Sequence, residues 1–87
     1  MTYRLDLTKQ AQEHFAFHKK SGNKSLLNKI AVLLEELTEH PFTGTGKPEP
    51  LKHNLSGLWS RRINKEHRLV YEVLETSVVI HHAKGHY

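Results

Sequence analysis

A single glutamate stands between two prolines in the most basic part of the sequence, in the segment Pro48-Glu49-Pro50. The prolines stiffen the backbone on both sides, which removes conformational freedom that a catalytic carboxylate would otherwise lose at its site. A carboxylate held in this way could act as a general base on a proton within its reach. The spacing alone leaves a second interpretation open, in which Glu49 is an exposed loop residue that contributes only to solubility.

Basic residues surround Glu49 in the sequence. Between residues 44 and 71, six Lys or Arg outnumber two carboxylates, so the chain's net charge of +4 is concentrated there. The six are Lys47, Lys52, Arg61, Arg62, Lys65 and Arg68. Guanidinium groups could clamp a phosphate and the charge that builds on it in a transition state, although a solvated basic face explains the same residues. Neighbouring strand residues point to opposite faces, so at most one of Arg61 and Arg62 can join such a clamp.

The last two residues, His86 and Tyr87, also have side chains suited to this chemistry. Histidine is the natural general acid near neutral pH, and a terminal tyrosine offers a ring that can stack on a base. The chain has eight His, most of which we expect at the surface or in the core, so composition alone does not favour catalysis by His86. His82 and His86 have the spacing of a metal pair only on a helix, which Gly85 opposes, and the chain has no Cys. We therefore predict no metal and no cofactor.

Hydropathy patterns predict the elements that must hold these residues in place. Period-two alternation indicates strands, apolar residues at helical spacing indicate helices, and Gly, Pro and polar turns separate them. The predicted boundaries are a strand at 3–7, helices at 9–20 and 24–39, and strands at 57–63, 67–74 and 77–82. On the first strand, Tyr3, Leu5 and Leu7 fall on the predicted buried face. The last three strands, joined by short polar turns, are typical of an antiparallel meander.

These elements predict an α+β fold class in the order β-α-α-β-β-β. The short joint between the helices predicts an antiparallel helix pair, packed against a twisted, mainly antiparallel sheet. Residues 41–54 form a loop rich in Gly and Pro that is long enough to be functional. Its Gly44-Thr45-Gly46-Lys47 run is not a phosphate-binding loop, because Pro41 and Pro48 stand where that motif requires Gly and then Ser or Thr.

Length and composition limit the class of protein. At 87 residues the chain predicts one domain, 1–87, with a small core. No apolar run approaches the roughly 20 residues that a membrane span needs, no secretory signal is visible, and without Cys no disulfide framework is possible. These features predict a cytoplasmic protein that does not associate with membranes. The basic balance favours a polyanionic partner, with nucleic acid first and an acidic protein second.

A run of short motifs resembles one protein family. The residues that carry the resemblance are Pro41-Phe42, Gly44, Gly46 to Lys52, Leu55-Ser56-Gly57, Trp59 to Ile63, Glu66 to Tyr71 and the terminal His86-Tyr87. They resemble the YoeB/Txe toxins, which belong to the RelE superfamily of type II toxin-antitoxin systems. Residues 1–40 agree only in the order strand, helix, helix. The resemblance implies a RelE-like fold, akin to small microbial ribonucleases.

The same resemblance implies a function and partners. It implies a ribosome-dependent endoribonuclease that cleaves mRNA in the ribosomal A site and inhibits translation. It also implies neutralisation by a cognate YefM/Phd-type antitoxin, with a toxin homodimer and a toxin-antitoxin hetero-oligomer both left open. Two alternatives stay open: a superfamily relative that inhibits another target such as gyrase, and a non-catalytic RNA-binding domain.

The family's site residues fall on six positions of this chain. By resemblance, these are Glu49 as general base, Arg68 for the phosphate charge of the transition state, His86 as general acid, and Lys52, Arg62 and Tyr87 as substrate-binding residues. RNA supplies its own nucleophile, the 2′-hydroxyl, so cleavage without a metal requires such a base, cations and acid. Family members often carry an aromatic residue where this chain has Gly85. This difference leaves open whether the end of the chain is ordered when no substrate is bound.

Overall fold

Two helices pack on a five-stranded sheet in the computed structural model, which describes residues 2–85. The elements in chain order are β1 (Arg4–Leu7), α1 (Lys9–Ser21), α2 (Lys24–Glu39), β2 (Glu49–Pro50), β3 (Leu58–Arg62), β4 (Arg68–Val73) and β5 (Ser77–His82). A short 3₁₀ helix, His53–Leu55, lies between β2 and β3. In residues 2–85, neither helix combines the length and apolarity needed to cross a membrane.

Local signals at the helix ends explain the two helices. The Thr8 side chain accepts a hydrogen bond from the Ala11 backbone at the start of α1, and Asn23 does the same for Leu26 at the start of α2. Gly22 ends α1 with φ of 74°, a left-handed conformation that glycine adopts without a steric cost. Both helices were predicted, α2 with the observed boundaries and α1 one residue too short.

The sheet has the order β1-β5-β4-β3-β2. Strand β1 runs parallel to β5, and the other three pairings are antiparallel. This confirms the predicted α+β class and its mainly antiparallel sheet. The prediction of an unbroken loop over residues 41–54 was wrong in one respect. That segment contains the two-residue strand β2, which extends the sheet at its edge.

Alternate residues of the strands divide the sheet into two faces. The face toward the helices carries the buried core, which includes Leu33 and Leu37 of α2, Leu69 and Tyr71 of β4, and Ile80 of β5. The opposite face, which we call the open face, carries Ser60, Arg62 and Arg68. Ser60 is paired with Val70 and Arg62 with Arg68, and residues directly opposite each other in a sheet share a face.

One predicted core residue is not buried. Leu7 is 39% exposed, because it ends strand β1 and the core packing on this strand stops at Leu5. Tyr3 and Leu5 are partly buried against the core, as predicted.

Candidate active site

Glu49 and Arg68 make the central contact of the open face. Nη2 of Arg68 lies 2.8 Å from Oε1 of Glu49, and Nε of Arg68 donates to Oγ of Ser60 at 3.1 Å. The Glu49 side chain is 60% exposed, whereas that of Arg68 is only 17% exposed. The carboxylate is therefore accessible to a ligand, while the guanidinium is held against the sheet.

Strand β2 brings Glu49 to this position. Glu49 pairs with Ser60 and Pro50 pairs with Trp59, so the carboxylate lies across β3 from the strand that carries Arg68. The backbone N–H of Leu51 donates to the Leu58 carbonyl at 2.9 Å, which continues the pairing beyond the strand. Proline at the sheet edge is tolerated because its missing donor leaves no ladder bond broken. The Pro-Glu-Pro segment is thus fixed as an edge strand.

A buried arginine fastens the loop that leads to Glu49. The Arg61 side chain has no exposed surface and forms an ion pair with Glu36 at 3.0 Å. Its guanidinium also donates to the backbone carbonyls of His40, Thr43 and Thr45. One side chain therefore fixes most of the irregular segment between α2 and β2.

Tyr71 and Glu36 complete this network. The Tyr71 hydroxyl accepts from Nε of Arg61 at 3.1 Å and donates to the Pro41 carbonyl at 2.8 Å. Burial raises the pKa of Tyr71, with Arg61 opposing the shift. Burial opposes ionisation of Glu36, but hydrogen bonds from Thr45 and the charge of Arg61 outweigh it, so the pKa of Glu36 is lowered. The network therefore holds an ionised carboxylate against a buried guanidinium.

Arg61 and Arg62 lie on opposite faces, as the alternation predicted. Arg62 is exposed on the open face, directly across from Arg68. Of the two adjacent arginines, only Arg62 can therefore face a ligand that approaches Glu49. Lys52 is also exposed, three residues beyond Glu49 and at the start of the 3₁₀ helix.

The structure places the six predicted site residues as follows. It brings Glu49 and Arg68 into contact, sets Arg62 beside Arg68 on the same face, and leaves Lys52 exposed after β2. His86 and Tyr87 lie outside the described residues. The chain that leads to them is anchored at Gly85, whose carbonyl accepts from the Arg68 backbone at 3.2 Å and whose N–H donates to Nδ1 of His67 at 2.9 Å.

Three residues support this site in roles that the sequence did not predict. Ser60 holds Arg68, Arg61 fixes the loop, and His67 binds the backbone of Gly85. The sequence did indicate that Arg61 is buried, because in a strand Arg61 shares a face with Trp59 and Ile63, which are apolar. The contacts of Ser60 and His67 depend on residues brought together by the fold, and no local pattern marks them.

The fold and the site together define a class of protein. It is a small basic α+β protein whose sheet is covered by helices on one face and carries a carboxylate-arginine pair on the other. Residues 7–87 match a family described as the YoeB-like toxin of bacterial type II toxin-antitoxin systems. This match covers nearly all of the chain, including the segment that forms the site.

Relatives and solved structures agree with this match. The toxin YoeB of Escherichia coli K12 is 54% identical over 65 residues, which are 75% of this chain and 77% of the relative. The toxin YoeB of Streptomyces coelicolor is 40% identical over 84 residues, 97% and 99% of the two chains. The YoeB dimer of Staphylococcus aureus superposes with a TM-score of 0.87 at 39% identity, and the YoeB-YefM complex of that organism with 0.85 at 40%, each over the full length of both chains.

The chain belongs to the YoeB-like toxin family. The resemblance predicted from the motifs around residues 41–71 is thereby confirmed, as is the RelE-like fold that it implied.

Proposed function

We propose that the chain is the toxin of a type II toxin-antitoxin system and acts as a ribosome-dependent endoribonuclease on mRNA in the A site. The observation that carries the proposal is the contact between Glu49 and Arg68 on an open, basic face of the sheet. A base and a phosphate-binding cation must lie within a few ångströms of each other to act on one phosphodiester. Membership of the YoeB-like toxin family supports the same function.

The proposed reaction is a transphosphorylation. Glu49 takes the proton of the 2′-hydroxyl, and the 2′-oxygen attacks the neighbouring phosphorus. Arg68, aided by Lys52 and Arg62, stabilises the charge of the phosphorane. His86 then donates a proton to the 5′-oxygen as its bond to phosphorus breaks. The products are a 2′,3′-cyclic phosphate and a 5′-hydroxyl, and hydrolysis of the cyclic ester leaves a 3′-phosphate.

The resting ion pair fits this reaction. An ion pair at a solvent-exposed site contributes only about 0–1 kcal/mol, so a phosphate can replace Glu49 as the partner of Arg68 at little cost. The exchange frees the carboxylate to accept a proton at the moment the phosphate binds. Binding and activation of the base are thereby coupled.

The open face also suits the rest of a nucleotide. An apolar pocket of about 190 Å³ adjoins the site. Its lining residues are Gln10, Leu51, Leu55, Leu58, Val70, His81 and His82. Val70 lies two residues beyond Arg68 on the same face. Apolar surface beside a cationic centre accommodates the flat face of a base next to its phosphate, and Tyr87 is proposed to stack on a base as well.

Dependence on the ribosome is proposed from the family and is supported by the charge of the chain. A compact surface with a net charge of +4 is attracted to ribosomal RNA, and such binding weakens steeply as the salt concentration rises. This target places the toxin in the cytoplasm.

The proposed antagonist is an antitoxin of the YefM type. The Staphylococcus aureus relative, which matches this chain over its full length, forms a complex with YefM. An acidic segment that folds on binding would suit the basic face of this chain. The same organism provides a YoeB dimer, and we propose that this chain also forms oligomers, alone or with its antitoxin.

The proposed function is tested by primer extension on a defined mRNA with and without programmed ribosomes. We expect cuts inside the A-site codon only when ribosomes are present. Cuts should weaken in Glu49→Ala and His86→Ala, and disappear when the nucleotide 5′ of the cut carries a 2′-deoxyribose. Products with a 3′-hydroxyl would contradict the mechanism. Absence of cuts by folded protein would overturn the nuclease proposal and leave a basic binding domain, with gyrase inhibition as the next assay.

A further inference from the structure

Three histidines and the start of β4 hold the segment that leads to the chain end. Nδ1 of His14 accepts from the Ala83 backbone at 3.0 Å, and Nε2 of His18 donates to the Ala83 carbonyl at 2.7 Å. Nδ1 of His67 accepts from the Gly85 backbone at 2.9 Å, and the Arg68 backbone donates to the Gly85 carbonyl at 3.2 Å. Ala83 and Gly85 are thus each bound through both the backbone N–H and the backbone C=O.

We propose that His67 and His14 are positioning residues for the general acid His86. They fix the backbone of Gly85 and Ala83, and thereby the direction in which the chain continues to His86. The proposal rests on the proposed function, because His86 is the acid only if the chain cleaves RNA. In this role His67 and His14 act through the backbone and not on the substrate.

We call the hydrogen bonds that hold the Ala83 and Gly85 backbone the anchor. His67 links this anchor to the rest of the site. His67 and Arg68 are consecutive, and both bind Gly85, one through a side chain and the other through its backbone. Arg68 also contacts Glu49 through its side chain. Two neighbouring residues therefore connect the proposed base, the proposed phosphate-binding cation and the residue that precedes the proposed acid.

The anchor requires neutral histidines in one tautomer. A backbone N–H can only donate, so Nδ1 of His14 and Nδ1 of His67 must both be free of a proton. In each neutral ring the proton then lies on Nε2. Protonation of either ring would place an N–H against the backbone N–H and break the anchor.

Charged and titratable groups face both rings. His14 faces His82, whose ring centroid is 4.5 Å away, and is influenced by Lys84, His18 and Glu13. Burial and then the positive charge of its neighbours lower the pKa of His14. His67 faces His18, with ring centroids 4.6 Å apart, and Glu66, whose Oε2 lies 3.8 Å from Nε2 of His67.

Two substitutions separate the hydrogen bond from the packing of the ring. In His67→Asn, the amide oxygen can occupy the place of Nδ1 and still accept from Gly85. In His67→Phe, the ring still packs against His18 but the acceptor is lost. We expect His67→Phe to slow A-site cleavage by about 10²-fold, the scale of a displaced general acid, and His67→Asn to retain most of the rate. His14→Asn and His14→Phe form a second, independent pair.

A modified substrate tests whether the effect passes through the acid. When sulfur replaces the 5′-oxygen at the cut bond of the ribosome-bound mRNA, the leaving group needs no protonation. We expect His67→Phe to cleave this mRNA at nearly the wild-type rate. Equal losses on the oxygen and sulfur substrates would overturn the proposal, as would equal rates for His67→Asn and His67→Phe.

A measurement without RNA keeps this proposal separate from the proposed function. Hydrogen exchange of the Gly85 amide, followed by NMR on the full chain, should quicken at least tenfold in His67→Phe and not in His67→Asn. Unchanged exchange in His67→Phe would overturn the anchor even if the chain is a nuclease. If the Gly85 amide of the wild type is protected from exchange but the wild type cleaves neither mRNA, the proposed function is refuted instead.

Discussion

Arg61 and Arg62 are adjacent in the chain and have opposite environments. The guanidinium of Arg61 is completely buried and binds Glu36, Tyr71 and three backbone carbonyls, whereas Arg62 is exposed on the open face. The alternation of a strand produces this division, because successive side chains point to opposite faces. One arginine therefore stabilises the loop that leads to Glu49, and the next is available to a ligand beside Arg68.

Substitution of the two arginines should affect different properties. Arg61→Met removes the partner of Glu36 and of several carbonyls, and breaking a buried pair costs about 3–5 kcal/mol. Arg62→Met is at the surface and should change stability by no more than about 0.5 kcal/mol, yet weaken ribosome binding and cleavage. Urea unfolding and primer extension on both variants measure the two effects. Equal stabilities for the two variants would contradict the assigned role of Arg61.

Neutralising the proposed base should slow cleavage strongly without unfolding the chain. Glu49→Gln keeps the shape of the side chain but removes its ability to accept the 2′-proton, so single-turnover cleavage should fall by about 10²- to 10⁴-fold. The melting temperature should change little, because the ion pair with Arg68 is exposed. Glu75→Gln, at an exposed turn, is the matched control. Cleavage by Glu49→Gln at the wild-type rate would exclude Glu49 as the base.

Much of the fold was predictable because it depends on local patterns. Apolar residues at helical spacing predicted α2 with its observed boundaries, and the period-two alternation located β3, β4 and β5 to within one residue at each end. The strand β2 was not predictable, because two residues that include a proline contain no periodicity. It pairs with the edge of β3, and Arg61 of β3 holds the loop that precedes it.

The candidate site was predictable to a similar extent. The alternation on β3 showed that only one of Arg61 and Arg62 could serve it, and the resemblance pointed to Glu49 and Arg68, which the structure brings into contact. The apolar residues Trp59 and Ile63 indicated that Arg61 is the buried arginine, but its contacts with Glu36 and the loop carbonyls are set by tertiary packing. His14 and His67 are 69 and 18 residues distant in sequence from Ala83 and Gly85, whose backbones they bind, a separation at which no local pattern carries information.

Gly46 should be harder to replace than Gly57. Its φ is 85°, and a Cβ atom there would lie 2.7 Å from the Arg62 carbonyl oxygen. Gly57 has φ of 97° with nothing within 4 Å of its Cβ position, so Gly57→Ala would introduce backbone strain but no steric clash. Gly46→Ala should therefore be less stable than Gly57→Ala by about 1–3 kcal/mol, the usual cost of overpacking. Urea unfolding compares the two, and equal stabilities would contradict close contact between this loop and β3.

Gly46→Ala should also reduce cleavage beyond its effect on stability. The Gly46 carbonyl accepts from the Arg62 backbone at 2.8 Å, and this bond sets the path of the chain into β2. Displacing it moves Glu49 relative to Arg68. Rates measured at a temperature where both variants are fully folded should be lower for Gly46→Ala than for Gly57→Ala. Equal rates there would show that the position of Glu49 does not depend on this bond.

Acidification should destabilise the chain through the histidines beside its C-terminal segment. Burial lowers the pKa of His82, and burial followed by the charges of His82 and Lys84 lowers that of His14, from an ordinary value of 6.5. As the pH falls below this value, the unfolded chain takes up protons that the folded chain still excludes. The free energy of unfolding therefore decreases as the pH falls. The stabilising contribution is complete above the ordinary pKa and is lost as the pH falls through the lowered pKa values of the folded state.

Urea unfolding at a series of pH values between 7.5 and 5 measures this dependence. His14→Asn keeps an acceptor for the Ala83 backbone but does not titrate, so its free energy of unfolding should decrease less steeply with acid than that of the wild type. His53→Asn, at an exposed position, controls for the loss of a histidine as such. The same pH dependence in the wild type and in His14→Asn would mean that the folded state does not lower the pKa of His14. It would contradict the neutral His14 ring that the hydrogen bond from Ala83 requires.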